Sequence, residues 1–289
     1  MLTIRVPGTT ANLGPGFDSC GLALDLYLTL EVGEEQSEWH IDHHLGEKIP
    51  KDKENLIIQT ALSLAPNLVP RKLMMQSDIP SARGLGSSSA AIVAGIELAN
   101  QLEELELTPM EKVNVAAAIE GHPDNVAPAI LGDFVVASQL DKEVYAVKHA
   151  FPETGILAIV PKNELLTTQS REVLPKTMSY SKAIKASAIS NVMISAILSG
   201  DISLAGKMMG KDLWHETYRE KFIPQLRMIR QWAIENGAYG TFLSGAGPTV
   251  VVLVPKAKLN EVKNGLSIQL TDMLIKEVNV SSLGIQLKK

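Results

Sequence analysis

The sequence holds a single cysteine, Cys20, in 289 residues, so no intrachain disulfide can form and a reducing compartment is the expectation. It lacks any surplus of positive charge: 27 Lys and Arg stand against 32 Asp and Glu, a formal balance of −5. This excludes the broad basic surface that supplies most nucleic-acid affinity. It leaves open a nucleotide ligand, whose phosphates backbone amides can hold even in an acidic protein. No long hydrophobic run is present. Val250 to Val254, the longest near the end, is strand-sized and too short to span a bilayer. Met1 to Pro7 contains Arg5 and no apolar stretch of signal-peptide length. A cytoplasmic protein with neither membrane nor nucleic-acid partner is expected. Repeats and low-complexity tracts are absent too.

What is there reads as an ordinary globular chain, with 45% hydrophobic and 20% charged residues, long enough for one large or two closely packed domains. Leu2 to Val6 and Leu22 to Val32 alternate and are rich in branched residues, so they predict strands. A glycine-bearing loop is expected between them, from Pro7 to Gly21. Trp39 to Ile41 and Lys72 to Gln76 predict short strands, and Asn55 to Ala65 a helix. Ser88 to Gln101 is apolar on nearly every face, which predicts a buried helix. Thr108-Pro109-Met110-Glu111 is a capping box that opens a helix to about Glu120. Gly132 to Ala137, Val144 to Val147 and Gly155 to Val160 predict strands. Beyond Pro161 come amphipathic helices at Lys182 to Leu198, Ile202 to Leu213 and Pro224 to Asn236, the last closed by Gly237. Strands at Tyr239 to Leu243, Val250 to Val254 and Leu274 to Val280 follow, with a helix from Ala257 to Leu270 before the last. The mixture is α+β, with no regular alternation of strand and helix, and a boundary near residue 155.

Three glycine segments carry the chemistry. In Pro80-Ser81-Ala82-Arg83-Gly84-Leu85-Gly86-Ser87-Ser88-Ser89-Ala90, two glycines let backbone approach an anion. The helix that follows offers free amides and the positive end of its dipole, and the serine hydroxyls can meet phosphate or a hard cation. The absence of Gly-Lys-[Ser/Thr] after the glycines excludes a Walker-type loop, and the glycine spacing excludes a Rossmann fingerprint. Taken alone, the segment also fits a helix start built for close packing. Pro7 to Asp18 places Asn12 and Asp18 among glycines directly after the first strand, either as site residues or as turn residues bonded to local backbone. Ser244-Gly245-Ala246-Gly247-Pro248-Thr249 precedes the apolar strand and alone reads as a β-turn.

In this order, and spanning nearly the whole chain, these three segments resemble the motifs of the GHMP kinases. The resemblance implies an N-terminal ribosomal-protein-like domain over 1–155 and a ferredoxin-like domain over 156–289, with a Mg-ATP site between them. It assigns residues 80–90 to ATP, and Asn55 to the adenine side, although Asn55 fits a helix cap equally. Gly121-His122-Pro123-Asp124-Asn125-Val126-Ala127-Pro128 is similar to the homoserine kinase branch, whose relatives elsewhere carry an aspartate base in this segment. Thr167 to Arg171, and Asp212 to Arg219, look like that branch's substrate segments. Two departures stand out: Gly121 abuts His122, and the usual position of the acidic Mg²⁺ ligand holds Asn114 and Val115. Glu120 is the nearest acid and is assigned to Mg²⁺ with Ser88.

The resemblance thus implies ATP-dependent phosphorylation of the L-homoserine hydroxyl by a homodimer, with Asn12, Asp18, His122, Thr167, Arg171, Arg219 and Gly245 around the acceptor. Two arginines suit its carboxylate, although each also fits a surface ion pair. Asn125 cannot take a proton at neutral pH, so it is expected to orient the hydroxyl, with Ser88 and Glu120 balancing charge through the metal. Asp124 is the nearby carboxylate that competes with this base-free picture. The alternatives are a kinase of another small alcohol, such as an isoprenoid intermediate, and a catalytically silent metabolite-binding regulator on the same scaffold.

Overall fold

The protein is described by a computed structural model covering residues 1–288. Its first sheet grows from two long antiparallel strands, β1 (Leu2–Ala11) and β2 (Cys20–Glu35). The expected loop from Pro7 to Gly21 is shorter than the sequence suggests. After a bulge between Pro7 and Gly8 the pairing resumes, and Ala11 still lies opposite Gly21. Glycines and a proline mask this part of the strand because their strand propensities are poor, yet β2 pairs one edge of it and the backbone of Leu85 and Gly245 bonds the other.

Beyond β2 lies β3 (His40–Asp42), then α1 (Leu56–Leu64) and β4 (Arg71–Ser77). Helices α2 (Ser87–Leu102), α3 (Pro109–Glu120) and α4 (Pro123–Leu131) follow, then the hairpin β5 (Phe134–Leu140) and β6 (Glu143–His149). β2 joins both halves of this sheet, pairing β4 along one part and β5 along another. In its second half Leu26, Leu28, Leu30 and Val32 point into the core, the two-residue period of a sheet covered on one face. α2 is buried along most of its length, which its small apolar residues allow, and the capping box at Thr108 forms as predicted.

The second sheet starts at β7 (Gly155–Val160). Helices α5 (Thr167–Glu172), α6 (Tyr180–Leu198), α7 (Ile202–Met209), α8 (Glu216–Arg219) and α9 (Leu226–Glu235) come next. β8 (Gly240–Leu243), β9 (Val250–Val254), α10 (Leu259–Gln269) and β10 (Leu274–Val278) complete it. The four strands run β10-β7-β9-β8, all antiparallel, the order of a ferredoxin-like unit. Every residue of β7 and β9 is buried. Alternate residues of β9 face Ile229, Val262 and Leu266 on one side and the core shared with β1 and β2 on the other. That is why Val250 to Val254 is apolar without alternation.

The helix expected over Ile202 to Leu213 ends at Met209, because the Asp212 carboxylate turns the chain by accepting the N–H groups of Trp214, His215 and Glu216. β11 (Gln286–Lys288) returns to the first sheet and pairs β1. Among the described residues no helix is long and apolar enough to cross a membrane.

Candidate active site

A cleft of about 470 Å³ opens where the two lobes meet, and all three glycine segments reach it. Its floor is the start of α2. Ala82, Gly84 and Gly86 all have positive φ, and Gly86 caps the helix with no side-chain hydrogen bond of its own. A Cβ on Gly84 would collide with the carbonyl oxygen of Ser244, and one on Gly86 with the Thr9 hydroxyl. Only glycine lets these backbones meet. The result is a curved run of backbone leading into uncapped helix amides, the arrangement that accepts phosphate.

The predicted phosphate residues divide by role. Ser81, Ala82, Arg83, Gly84, Gly86, Ser87, Ser88 and Ser89 line the cleft. Leu85 and Ala90 are buried in the core, and Leu85 contributes its carbonyl to the Thr9 N–H. Pro80 lies outside the lining. The Arg83 guanidinium is occupied with carbonyls, donating to Ser81, Pro161 and Lys162. It fastens the loop to the end of β7 and is not free for a phosphate.

Glu120, at the end of α3, reaches the same floor. Its carboxylate accepts from the buried Ser89 hydroxyl at 2.9 Å, whereas Ser88 is exposed at the rim. The sequence-derived pairing of Glu120 with Ser88 is thus joined by a contact one residue further on. Burial raises the Glu120 pKa, an effect opposed by His122 and the Ser89 hydroxyl. Asn114 points elsewhere and accepts the Val144 N–H at 2.7 Å to hold β6.

Opposite the floor, α4 presents His122, Asp124 and Asn125. The sequence reading gave this segment no helix. Proline at its first position starts it, while Pro128 within it suppresses the helical signal. Asn125 Oδ1 accepts from the buried Thr9 hydroxyl at 2.9 Å, which fixes the face the carboxamide turns to the cleft. His122 Nδ1 lies 2.5 Å from Asp124 Oδ1. Burial alone would lower the His122 pKa, but the hydrogen bond and charge of Asp124, helped by Asp18, leave it raised.

The third wall is cationic. Arg219 is almost wholly buried, yet it borders the cleft. Its Nε donates to the Ser170 carbonyl, and Nη1 to the Gly245 carbonyl and His215 Nδ1. Among the described residues Nη2 has no hydrogen-bond partner. Burial and the neighbouring Arg171 charge bring its pKa down to about 10, so it stays charged at neutral pH. Arg171, on α5, makes a two-pronged ion pair with Asp18, with Nη2–Oδ1 at 2.5 Å and Nη1–Oδ2 at 3.1 Å. Both guanidiniums lie beside the Phe17 ring. Thr167, exposed at the first turn of α5, completes the rim.

Two predicted residues hold the frame with the same atoms they would offer a ligand. Asn12 donates to the Gly245 carbonyl and accepts the Asp18 N–H, so both ends of its carboxamide are engaged. Asn55 accepts the Ile57 N–H and donates to the Pro50 carbonyl, which makes it the cap of α1. Beside it Leu45, Ile49, Pro50 and Met75 form an apolar end of the cleft that the polar stretch from Asp42 to Lys53 had hidden. Thr9, Phe17, Ser244 and His215 were not singled out. Each belongs to a segment that was, and His215 stands one helical turn before Arg219, the spacing at which side chains meet.

Two family models match the chain: the GHMP kinases N terminal domain over residues 55–133 and the GHMP kinases C terminal over 193–272. Among curated relatives, a homoserine kinase of Listeria innocua is 60% identical, over 92% of each chain. One from Enterococcus faecalis is 56% identical, over 99% of each. A solved structure from Listeria monocytogenes, 52% identical, covers 100% of both chains with a TM-score of 0.91.

Proposed function

This chain belongs to the GHMP kinase family, and we propose that it phosphorylates the side-chain hydroxyl of L-homoserine with ATP, giving O-phospho-L-homoserine for threonine synthesis. It is an ATP-dependent alcohol phosphotransferase. The acceptor reading is carried by Arg219, a buried guanidinium held on three bonds at the wall of the cleft that Arg171 also lines, with no hydrogen bond to Nη2 among the described residues. Two cations in mutual repulsion favour a ligand carboxylate between them. Asp18 and the His122–Asp124 pair provide the negative end that suits an ammonium group. An acceptor carrying both charges satisfies the two walls together, which a sugar or mevalonate does not.

The nucleotide phosphates belong over the start of α2, with adenine at the apolar end near Leu45 and Ile49. Glu120 and the Ser88 and Ser89 hydroxyls are hard oxygen donors beside the glycine cradle, a set that fits Mg²⁺. Magnesium, when bound with ATP, adds positive charge at the phosphoryl oxygens. The rest falls to the chain. Backbone amides and the helix dipole balance charge on the transferring group, and the arginine wall fixes the acceptor. Asn125, oriented by Thr9, aligns the hydroxyl. A loose transition state asks little of a base, and Asp124 is held by His122 and Asn125.

The test is ATP consumption with homoserine, serine, threonine, mevalonate and galactose in parallel. Strong preference for homoserine is expected. Equal turnover of mevalonate or galactose would remove the acceptor assignment and leave the fold intact.

A further inference from the structure

His215 is fully buried at the N-terminal end of α8, and both of its ring nitrogens are engaged. Nε2 lies 3.0 Å from the carbonyl oxygen of Gly14, which can only accept, so Nε2 carries the proton. Nδ1 lies 2.9 Å from Arg219 Nη1, which can only donate, so Nδ1 is a bare lone pair. Its partners therefore dictate a neutral ring with one tautomer. The ring also stacks on Phe17, with centroids 5.1 Å apart and planes 20° apart, and Phe17 in turn lies beside the guanidiniums of Arg171 and Arg219. The Asp212 carboxylate is 3.8 Å from Nε2, further than Gly14, and is already committed to three backbone N–H groups. Burial, the largest influence, lowers the His215 pKa, with Arg219 adding to it and Asp212 and Glu216 opposing.

We infer that His215 is a positioning residue for the acceptor carboxylate, holding the Arg219 guanidinium at the wall of the cleft and tying it to the loop that carries Asp18. The inference rests on the cleft being the site of a zwitterionic alcohol. Arg219 reaches that cleft from a buried side chain whose Nε and Nη1 are fixed, so the direction of Nη2 is set by what Nη1 meets. The Gly245 carbonyl takes only one of the two Nη1 hydrogens, which leaves the other buried without an acceptor. The imidazole lone pair accepts that second hydrogen and so commits Nη1 fully. It does so from a ring anchored to Gly14, within the same loop as Asp18, so the cationic and anionic ends of the acceptor site keep a fixed separation.

Conservative variants separate the two bonds. In His215→Asn the amide oxygen takes the place of Nδ1 and accepts from Arg219, while the bond to Gly14 is lost. In His215→Gln the amide nitrogen reaches the place of Nε2 and donates to Gly14, with no acceptor fixed beside Arg219. His215→Leu removes both. Loss of a hydrogen bond to a charged group predicts a rise of about tenfold or more in the homoserine KM of the Leu and Gln variants. The ATP KM should stay unchanged, and the Asn variant, which keeps the acceptor for Arg219 but not the Gly14 anchor, should raise the homoserine KM less than Gln or Leu. In an Arg219→Ala background, His215→Leu should add nothing further. A parallel rise in both KM values, rescue by Gln in place of Asn, or multiplying effects in the double variant would each overturn the assignment. Should the Leu variant fail to fold, the Asn and Gln pair still decides.

A wild-type protein inactive on homoserine would sink the functional reading alone. The His215 assignment is then decided by long-range ¹H–¹⁵N correlations of the imidazole. These should show the neutral Nε2–H form at about pH 7, with the Nδ1 signal displaced in Arg219→Ala. An Nδ1–H form, or a signal indifferent to Arg219→Ala, would overturn it.

Discussion

Glu120 and Asn114 share α3 and face different neighbours, and the proposed Mg²⁺ site takes its acid from the one that reaches the cleft. Glu120 meets Ser89 at the cleft floor, whereas Asn114 holds the backbone of β6. Glu120→Gln removes one anionic oxygen from the ion's surroundings, so turnover should fall by about tenfold or more and half-saturation should need more Mg²⁺. Asn114→Ala leaves the Val144 N–H unpaired, at a cost of about 1–3 kcal/mol in stability, with the Mg²⁺ dependence unaltered. Titrating Mg²⁺ in both variants checks this, and the reverse pattern would move the metal to the other end of the helix. The arginines are separable in the same way. Arg219 is buried and its bonds are directional, so a lysine point charge should rescue poorly, with a homoserine KM raised about tenfold or more. Arg171 is partly exposed and paired with Asp18, so Arg171→Lys should retain more activity than Arg219→Lys. Equal losses would mean that guanidinium geometry does not matter at the buried position.

At the scale of elements, the start of α2 shows both what was legible and what was hidden. Its glycines, serines and apolar helix announced themselves because each property is local. The uncapped Gly86, the proximity of Thr9 and the contact with Ser244 depend on segments far apart in the chain, which no local pattern reports. The same limit explains Asn12, Asn55 and Arg83. Their residue types suit a ligand, and only the fold shows that carbonyls and amides of the frame have taken their polar atoms. Short elements hid for a different reason. The proline within α4 and the few residues of α5, α8 and β11 give too little periodicity to read, and tertiary contacts hold them instead. Gly86→Ala tests the junction. A side chain there must adopt a positive φ, costing about 1–2 kcal/mol, and must displace the Thr9 hydroxyl that orients Asn125. The variant should lose thermal stability, raise the ATP KM and lower kcat together. Unchanged kinetics beside a lowered Tm would separate the loop from the phosphates.

Across the whole molecule, the two lobes are stitched around the cleft. Asn12 reaches Gly245, Ser244 reaches Gly84, Arg171 reaches Asp18, and His215 reaches Gly14. The last of these contacts carries a pH dependence whose sign follows from the buried ring. The folded His215 pKa is below its ordinary 6.5. Above that value both folded and unfolded chains hold the ring neutral. As pH falls below about 6.5 the unfolded chain takes the proton first, so this residue's contribution to stability is lost through the acid window down to the folded pKa. Asp212 and Glu216 face the ring with negative charge, Arg219 faces it with positive charge, and Gly14 and Phe17 close it off from the neighbouring turn. His215→Asn removes the titrating group while keeping an acceptor for Arg219. Urea unfolding of wild type and variant across about pH 5 to 8 isolates the effect, because acids common to both proteins cancel in the difference. The wild-type advantage should be constant above about pH 7 and shrink steadily below about 6.5. A difference that stays flat throughout would mean that the imidazole does not enter the folded lobe junction as a neutral acceptor.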